Sequence, residues 1–122
     1  MKPLTRGELE VMQVLWENDW LKPSELQDKF PRPIKNAALR SVLLVLLEKE
    51  HIVRRKVGKA YYYKARTKQR RSLKEEIKRL ADAFAQGSSV ALIAQLVRME
   101  NLSDEDIREL RKIAEEKPDN GE

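Results

Sequence analysis

The sequence lacks the residues on which several kinds of functional site depend. It contains no cysteine, which excludes disulfides and thiolate metal sites. Its single histidine, His51, has no visible partner set for nucleophilic catalysis, and the four glycines do not form a phosphate-binding loop. The sequence therefore predicts neither an enzyme nor a cofactor or metal site.

Long hydrophobic runs are also missing. The run VLLVLL at residues 42–47 is far shorter than the roughly 18 residues that a membrane-spanning helix needs. The first residues, MKPLTRGELEV, lack the apolar segment of a signal peptide. We therefore expect a soluble cytoplasmic protein without a membrane partner.

Basic charge is concentrated in the first part of the chain. Residues 1–71 contain 17 basic and 8 acidic side chains, whereas residues 72–122 contain 8 basic and 12 acidic ones. Ten basic residues and no acidic residue lie between Glu50 and Glu75. Basic runs are often just solvated surface, but this asymmetry favours a polyanion-binding domain at 1–71 and a second domain at 72–122 with another role.

Three helices are predicted in the first domain. The first begins near Thr5, which has capping-box spacing to Glu8 and precedes the apolar stripe of ELEVMQVLW. The second covers about 23–30 and is stopped by the sequence PRP. The third runs from about Asn36 to Lys49. Its VLLVLL run could also form a buried strand, but the flanking NAALRS and EKE favour a helix.

A β-hairpin is predicted after the third helix. IVRRK and AYYYK are β-prone runs joined by VGK, in which Gly58 can adopt a positive φ. Three helices followed by a hairpin is the order of a winged helix-turn-helix, a mainly α fold with one small hairpin, or wing. In that fold the third helix enters the major groove of DNA and the wing lies along the phosphates.

This order predicts which side chains contact DNA. Phosphates require long cations on the wing, and base edges require exposed groups early in the third helix. Tyr62 is expected to contact a phosphate, while Tyr61 and Tyr63, on the opposite face of the strand, are expected to pack against the helices. The predicted DNA contacts are Lys35, Asn36, Ala37, Ala38, Arg40, Ser41, Arg54, Arg55, Lys56, Lys59 and Tyr62.

The second domain is predicted to consist of three helices that need a partner. The first and last carry apolar stripes, and the last opens with a Ser103–Asp106 cap. The middle one, at 89–99, is apolar on almost every side and therefore requires burial all round. A two-fold dimer would supply that burial, and a monomer whose helices fold back on the first domain is the alternative. Residues 117–122 are expected to form a frayed tail.

Three motifs together resemble the penicillinase-repressor family, bacterial winged-helix regulators of β-lactam resistance genes. LTRGELEVMQVLWE (4–17) is similar to the opening helix of that family. ALRSVLLVLLEKEHI followed by AYYYKA resembles its third helix and wing, and LSDEDIRELRKI (102–113) its closing dimerisation helix. The resemblance covers nearly the whole chain and implies a homodimeric repressor that binds a palindromic operator in double-stranded DNA.

The resemblance also implies roles for single residues. Arg40 and Ser41 match an Arg-Thr pair that reads bases in the family. Five residues on the C-terminal helices match positions that form the dimer core in the family. The apolar stripe of the first C-terminal helix adds two more expected dimerisation residues. The expected dimerisation residues are Leu80, Phe84, Leu92, Ile93, Leu96, Ile107 and Leu110.

The third helix departs from the family pattern at several positions. Ala37, Ala38, Leu44 and Val45 stand where the family usually has polar residues. The family operator cannot be transferred to this chain, and specificity would either be low or rest on thymine methyl groups and DNA shape. The excess of apolar side chains on the third helix leaves one alternative function open, that of a winged-helix module that binds protein or RNA.

Two further departures concern the turn into the wing and the inducing signal. Glu50 occupies the position of a family glycine at the end of the third helix. Family members induced by a sensor protease are cut beside a large residue, and that position is Ser89 here. The small Ser89 does not fit such a cut and argues against induction by proteolysis, so a sensor protease as partner is left as an open question. Copper-responsive relatives use cysteines, which this chain lacks.

Overall fold

The computed structural model describes residues 2–116, and the predicted tail at 117–122 lies outside them. Within the described residues, six helices and one antiparallel hairpin confirm the predicted mainly α fold with a winged helix-turn-helix. The chain divides into an N-terminal unit, Met1–Gln69, and a C-terminal unit, Arg70–Glu122. The elements are α1 (Arg6–Trp16), α2 (Pro23–Lys29), α3 (Asn36–Glu48), β1 (Ile52–Val57), β2 (Ala60–Ala65), α4 (Gln69–Phe84), α5 (Ser89–Met99) and α6 (Asp104–Glu115).

Helix α1 begins with the predicted capping box. The hydroxyl of Thr5 accepts a hydrogen bond from the Glu8 N–H (3.2 Å), and the Glu8 carboxylate accepts one from the Thr5 N–H (3.0 Å). The same carboxylate accepts a hydrogen bond of 2.6 Å from Nζ of Lys49, just past the end of α3. Burial raises the pKa of Glu8, but the hydrogen bonds from Lys49 and Thr5 and the charge of Lys49 outweigh burial and hold that pKa below its ordinary value. The ionised carboxylate thus ties the start of α1 to the end of α3.

The core of the N-terminal unit lies between its three helices and the hairpin. Leu39, Leu43 and Leu46 of α3 are fully buried, and their spacing places them on one side of a helix. The helical spacing confirms the predicted third helix and excludes the alternative of a buried strand. The core comprises Val11, Met12, Val14, Leu15, Leu21, Leu26, Phe30, Leu39, Leu43, Leu46, Ile52 and Tyr63.

The hairpin forms as predicted and gains a partner on its outer edge. Strands β1 and β2 pair in antiparallel register, and Gly58 in the connecting turn has a φ of 63°. Leu21, from the segment before α2, exchanges two backbone hydrogen bonds with Tyr63 of β2, at 3.0 and 2.8 Å. The base of the wing is therefore held by backbone hydrogen bonds on both sides of β2.

Helix α3 ends in a Schellman motif built on Glu50. The Glu50 N–H donates to the carbonyl of Leu47 (3.0 Å), and the His51 N–H donates to the carbonyl of Leu46 (3.0 Å). Glu50 has a φ of 65°, in the left-handed region that glycine adopts without the clash of a Cβ atom. The turn into the wing is made without glycine, and the glutamate carries the backbone strain.

His51 joins the end of α3, the hairpin and the first residues of the chain. Its carbonyl accepts hydrogen bonds from the N–H groups of Arg66 (2.9 Å) and Thr67 (3.1 Å), where β2 has just ended. Its ring is buried, and Nε2 lies 2.8 Å from the carbonyl of Lys2, so Nε2 donates. In the neutral ring, Nδ1 then accepts from the hydroxyl of Thr67 at 3.0 Å. The Thr67 carbonyl in turn accepts from Nε1 of Trp16 at 2.7 Å, which fixes the strand exit to α1.

The C-terminal unit buries few of its apolar side chains. Its buried cluster consists of Ala81, Ala85 and Leu92. Helix α6 opens with the predicted cap, because Ser103 and Asp106 exchange hydrogen bonds between side chain and backbone. No side chain of α6 is buried, and α5 buries only Leu92. These helices keep most of their apolar surface exposed within one chain.

We predict that replacing Glu50 with glycine raises the free energy of unfolding by about 1 kcal/mol, because glycine adopts the left-handed conformation without the steric clash of a Cβ atom. The 4.0 Å ion pair between Glu50 and Arg66 is exposed at both ends and contributes little to stability. Urea denaturation measures the change. Glu50→Ala, which keeps the Cβ atom, is the control, and a glycine variant no more stable than the alanine variant would contradict the prediction.

Candidate nucleic-acid interface

The side of α3 that does not face the core is exposed to solvent, and its side chains are mainly apolar. Ala37, Ala38, Arg40 and Ser41 are exposed, and Leu44 keeps 54% of its surface accessible. The Ser41 hydroxyl donates back to the Ala37 carbonyl at 3.1 Å, so its proton is used within the helix. Arg40 is therefore the main hydrogen-bond donor on this side of α3.

A chain of side-chain hydrogen bonds positions Arg40. Nε of Arg40 donates to the side-chain oxygen of Asn36 at 2.5 Å, and the Asn36 amide donates to the side-chain oxygen of Gln27 at 3.3 Å. The Gln27 amide donates to the carbonyl of Ile34 at 2.7 Å. Asn36, predicted to read bases, is half-buried and uses both ends of its amide inside this chain. Its role in the structure is to orient Arg40. Lys35 is exposed at the N-cap of α3.

The wing presents the predicted cations to solvent. Arg54, Arg55 and Lys56 lie on β1 and Lys59 lies in the turn, and all four are exposed. Among the residues that the structure describes, none of the four forms an ion pair with a carboxylate. Their charge is therefore available to an anion such as a phosphate.

The three tyrosines of β2 have three different environments. Tyr63 is buried in the core, as predicted. Tyr61 was expected to pack with it, but 39% of its surface is exposed and its ring lies 4.4 Å from the Arg54 guanidinium. The expectation for Tyr61 is wrong because its ring is left exposed at this point of the strand, where the cations Arg54 and Lys56 of β1 lie over it at 4.4 and 5.7 Å. Tyr62, on the other face, is half-buried opposite Arg55.

Trp20 supports the outer face of the wing, a role that the sequence did not reveal. Its ring lies 4.3 Å from the guanidinium of Arg55 and 5.8 Å from Nζ of Lys64, distances typical of cation–π contacts. Asp19 pairs with Lys64 at 3.2 Å. Trp20 reaches the wing because the adjacent Leu21 pairs with β2, and no local pattern in the sequence signals that long-range pairing.

The residues predicted for dimerisation are exposed in the C-terminal unit, with one exception. Leu92 is buried against Ala81 and Ala85 within the chain. Phe84 is 70% exposed, and the neighbouring Val90 and Met99 of α5, which were not singled out, are 79% and 77% exposed. The other predicted residues are also exposed: Leu80, Ile93, Leu96, Ile107 and Leu110.

One protein family matches this chain. The model of the penicillinase repressor family covers residues 4–116, nearly the whole sequence. The chain belongs to the penicillinase repressor family. This confirms the resemblance carried by the three sequence motifs. Penicillinase repressors are DNA-binding transcriptional regulators rather than enzymes. No curated protein matches the sequence significantly.

Metal sites and membrane spans are two further features for which the described residues give evidence. Residues 2–116 contain no cluster of three or more His, Cys, Asp or Glu side chains arranged to hold a metal ion. No single helix among the described residues is long and apolar enough to cross a membrane. The pair α4 and α5, bent by 82°, meets that criterion jointly by length and composition alone. Because the family binds DNA and the cations of the wing are exposed, α3 and the wing are the candidate nucleic-acid interface.

We predict that Trp20→Ala weakens binding to every DNA duplex by about two- to fivefold, because the stack that orients Arg55 is worth roughly 0.5–1 kcal/mol. Trp20→Phe keeps an aromatic ring and should retain most of the affinity. Fluorescence anisotropy with duplexes of different sequence measures the effect, and thermal unfolding of each variant checks that the fold is kept.

A double-mutant cycle tests whether Trp20 acts through Arg55. In an Arg55→Ala background, Trp20→Ala should cost less affinity than it does in the wild-type protein. Equal losses in the two backgrounds would show that Trp20 acts independently of Arg55. A loss confined to one DNA sequence would contradict a role in holding a phosphate-binding cation.

Proposed function

We propose that the protein is a homodimeric repressor that binds a palindromic operator, with α3 in the major groove and the wing along the phosphates. The observation that carries this proposal is the set of exposed wing cations without carboxylate partners among the described residues. They belong to the same compact unit as α3. Such an arrangement suits a polyanion that offers phosphates and base edges together.

The wing and α3 have different tasks in this proposal. Arg54, Arg55, Lys56 and Lys59 contact phosphates and supply affinity for DNA of any sequence. Tyr62 lies beside them as a further phosphate ligand. On α3, Arg40 and the exposed apolar side chains face the bases. Affinity therefore comes mainly from the wing, and the choice of sequence comes from α3.

Dimerisation through the C-terminal unit is supported by the exposed apolar surface. Ile107 and Leu110 lie on one side of α6, a helix in which no residue is fully buried within its own chain. Burying a side chain of this size contributes about 1.5–3 kcal/mol, and exposed apolar patches of this extent are typical of interfaces. A second copy of the chain is the partner that a palindromic site requires.

Charge complementarity supports the same partner. The first turn of α6 carries Asp104, Glu105 and Asp106. A groove along α4 has three basic residues, Arg71, Lys74 and Lys78, and one acidic residue, Glu75, in its lining, together with the apolar Ile77 and Ala81. In the proposed dimer, α6 of one copy lies in this groove of the other, so that acidic and basic side chains meet around an apolar centre. A fit of this kind favours a second copy over an unrelated partner.

The experiment that tests this proposal combines assembly with DNA binding. Sedimentation should show the wild-type protein as a dimer, twice the chain mass of 14.3 kDa, at micromolar concentration. Leu110→Ser removes about 2 kcal/mol of apolar burial from each copy, so dimerisation should weaken by roughly a thousandfold. Affinity for a duplex selected from a random pool should fall with it. The matched control is Arg108→Ser, which alters an exposed polar residue of α6 two positions before Leu110.

Two results would contradict the proposal. A wild-type protein that sediments only as a 14.3 kDa species at micromolar concentration would rule out the dimer. A Leu110→Ser protein that remains dimeric and binds the selected duplex as well as the Arg108→Ser control does would show that α6 is not part of the interface.

A further inference from the structure

The exposed side of α3 has an unusual chemical character for a DNA-reading surface. Ala37, Ser41 and Leu44 follow one another at helix spacing and form a line that we call the α3 ridge. Leu44 is 54% exposed, although Leu43 and Leu46 beside it are fully buried. The fold therefore does not use Leu44 for its core. The Ser41 proton is directed to the Ala37 carbonyl, so the ridge offers mostly methyl groups and no free side-chain donor.

Such a ridge can distinguish only one feature of the major groove directly. Guanine, cytosine and adenine present donors and acceptors there, whereas thymine also presents its C5 methyl group. Apolar side chains pair with that methyl group and cannot satisfy the donors and acceptors of the other bases. We propose that the α3 ridge selects operator positions that present thymine methyl groups. This inference rests on the proposed operator-binding function.

The surroundings of the ridge favour DNA over a protein partner. Arg40, held in place by Asn36, lies beside the ridge, and exposed Lys35 lies at the N-cap of the same helix. The exposed cations of the wing belong to the same unit. The occupant must therefore offer apolar groups and dense negative charge together. A thymine-containing major groove does so, because its methyl groups lie between two rows of phosphates.

The test uses the full-length protein and duplexes that differ only in methyl groups. A binding site is first selected from a random pool, and each thymine is then replaced in turn by deoxyuridine, which keeps every hydrogen-bonding group but lacks the methyl. At positions that the ridge contacts, affinity should fall roughly fourfold for each methyl group removed. Positions outside those contacts should show no change.

A variant assigns the effect to the ridge. Leu44→Ala should reduce the difference between thymine and deoxyuridine at one or more of these positions, and because Leu44 is exposed the fold should be kept. Val57→Ala, which alters an exposed apolar residue of the wing, is the matched control and should leave the difference unchanged.

The outcomes separate this inference from the function on which it rests. If no site is selected and all duplexes bind equally, the proposed operator binding fails and the inference fails with it. If a site is selected but deoxyuridine changes nothing, the inference alone is overturned. If the thymine dependence is present but unchanged by Leu44→Ala, the methyl groups are read without the largest side chain of the ridge, and the inference is overturned.

Discussion

The hydrogen bonds around His51 hold together the parts of the N-terminal unit on which the proposed DNA binding depends. The backbone N–H of His51 closes the end of α3, and its carbonyl holds the chain where β2 ends. Its buried ring joins the hydroxyl of Thr67 to the carbonyl of Lys2. One residue thus fixes both ends of the hairpin relative to α3. The wing can extend charged side chains into solvent because its base is anchored in this way.

The anchored base allows a division of tasks between α3 and the wing. Cations on a fixed hairpin can meet phosphates without a large ordering cost, and the stacks of Arg54 on Tyr61 and Arg55 on Trp20 reduce that cost further. Contacts between such cations and phosphates do not depend on the DNA sequence. In the proposed function, specificity then comes from α3, whose exposed side is mostly apolar. The proposed dimer doubles both contributions by providing two copies of the same surface.

Local signals made much of the fold predictable from the sequence. The capping boxes at Thr5 and Ser103, the apolar face of α3 and the turn at Gly58 each follow from residues close together in the chain, and all are confirmed. The cationic residues of the wing could be named for the same reason. Their contacts with DNA stay a prediction.

What the sequence did not reveal depends on long-range contacts. Trp20 meets Arg55 only because Leu21 pairs with β2, and Asn36 is engaged because Gln27 of α2 lies beside it. Tyr61 shares a strand face with Tyr63, yet it is exposed whereas Tyr63 is buried. Periodicity identifies the faces of each element but not where the neighbouring elements end.

The most direct test of the central claim, that the wing supplies affinity and α3 supplies choice, is a salt series. Binding of the full-length protein to a selected duplex and to a scrambled one is measured between about 50 and 200 mM salt. With six to ten phosphate contacts per dimer, both affinities should fall by roughly 10³–10⁵ over this range, while the ratio between the two duplexes persists. Equal affinity for the two duplexes at every salt concentration would contradict the account.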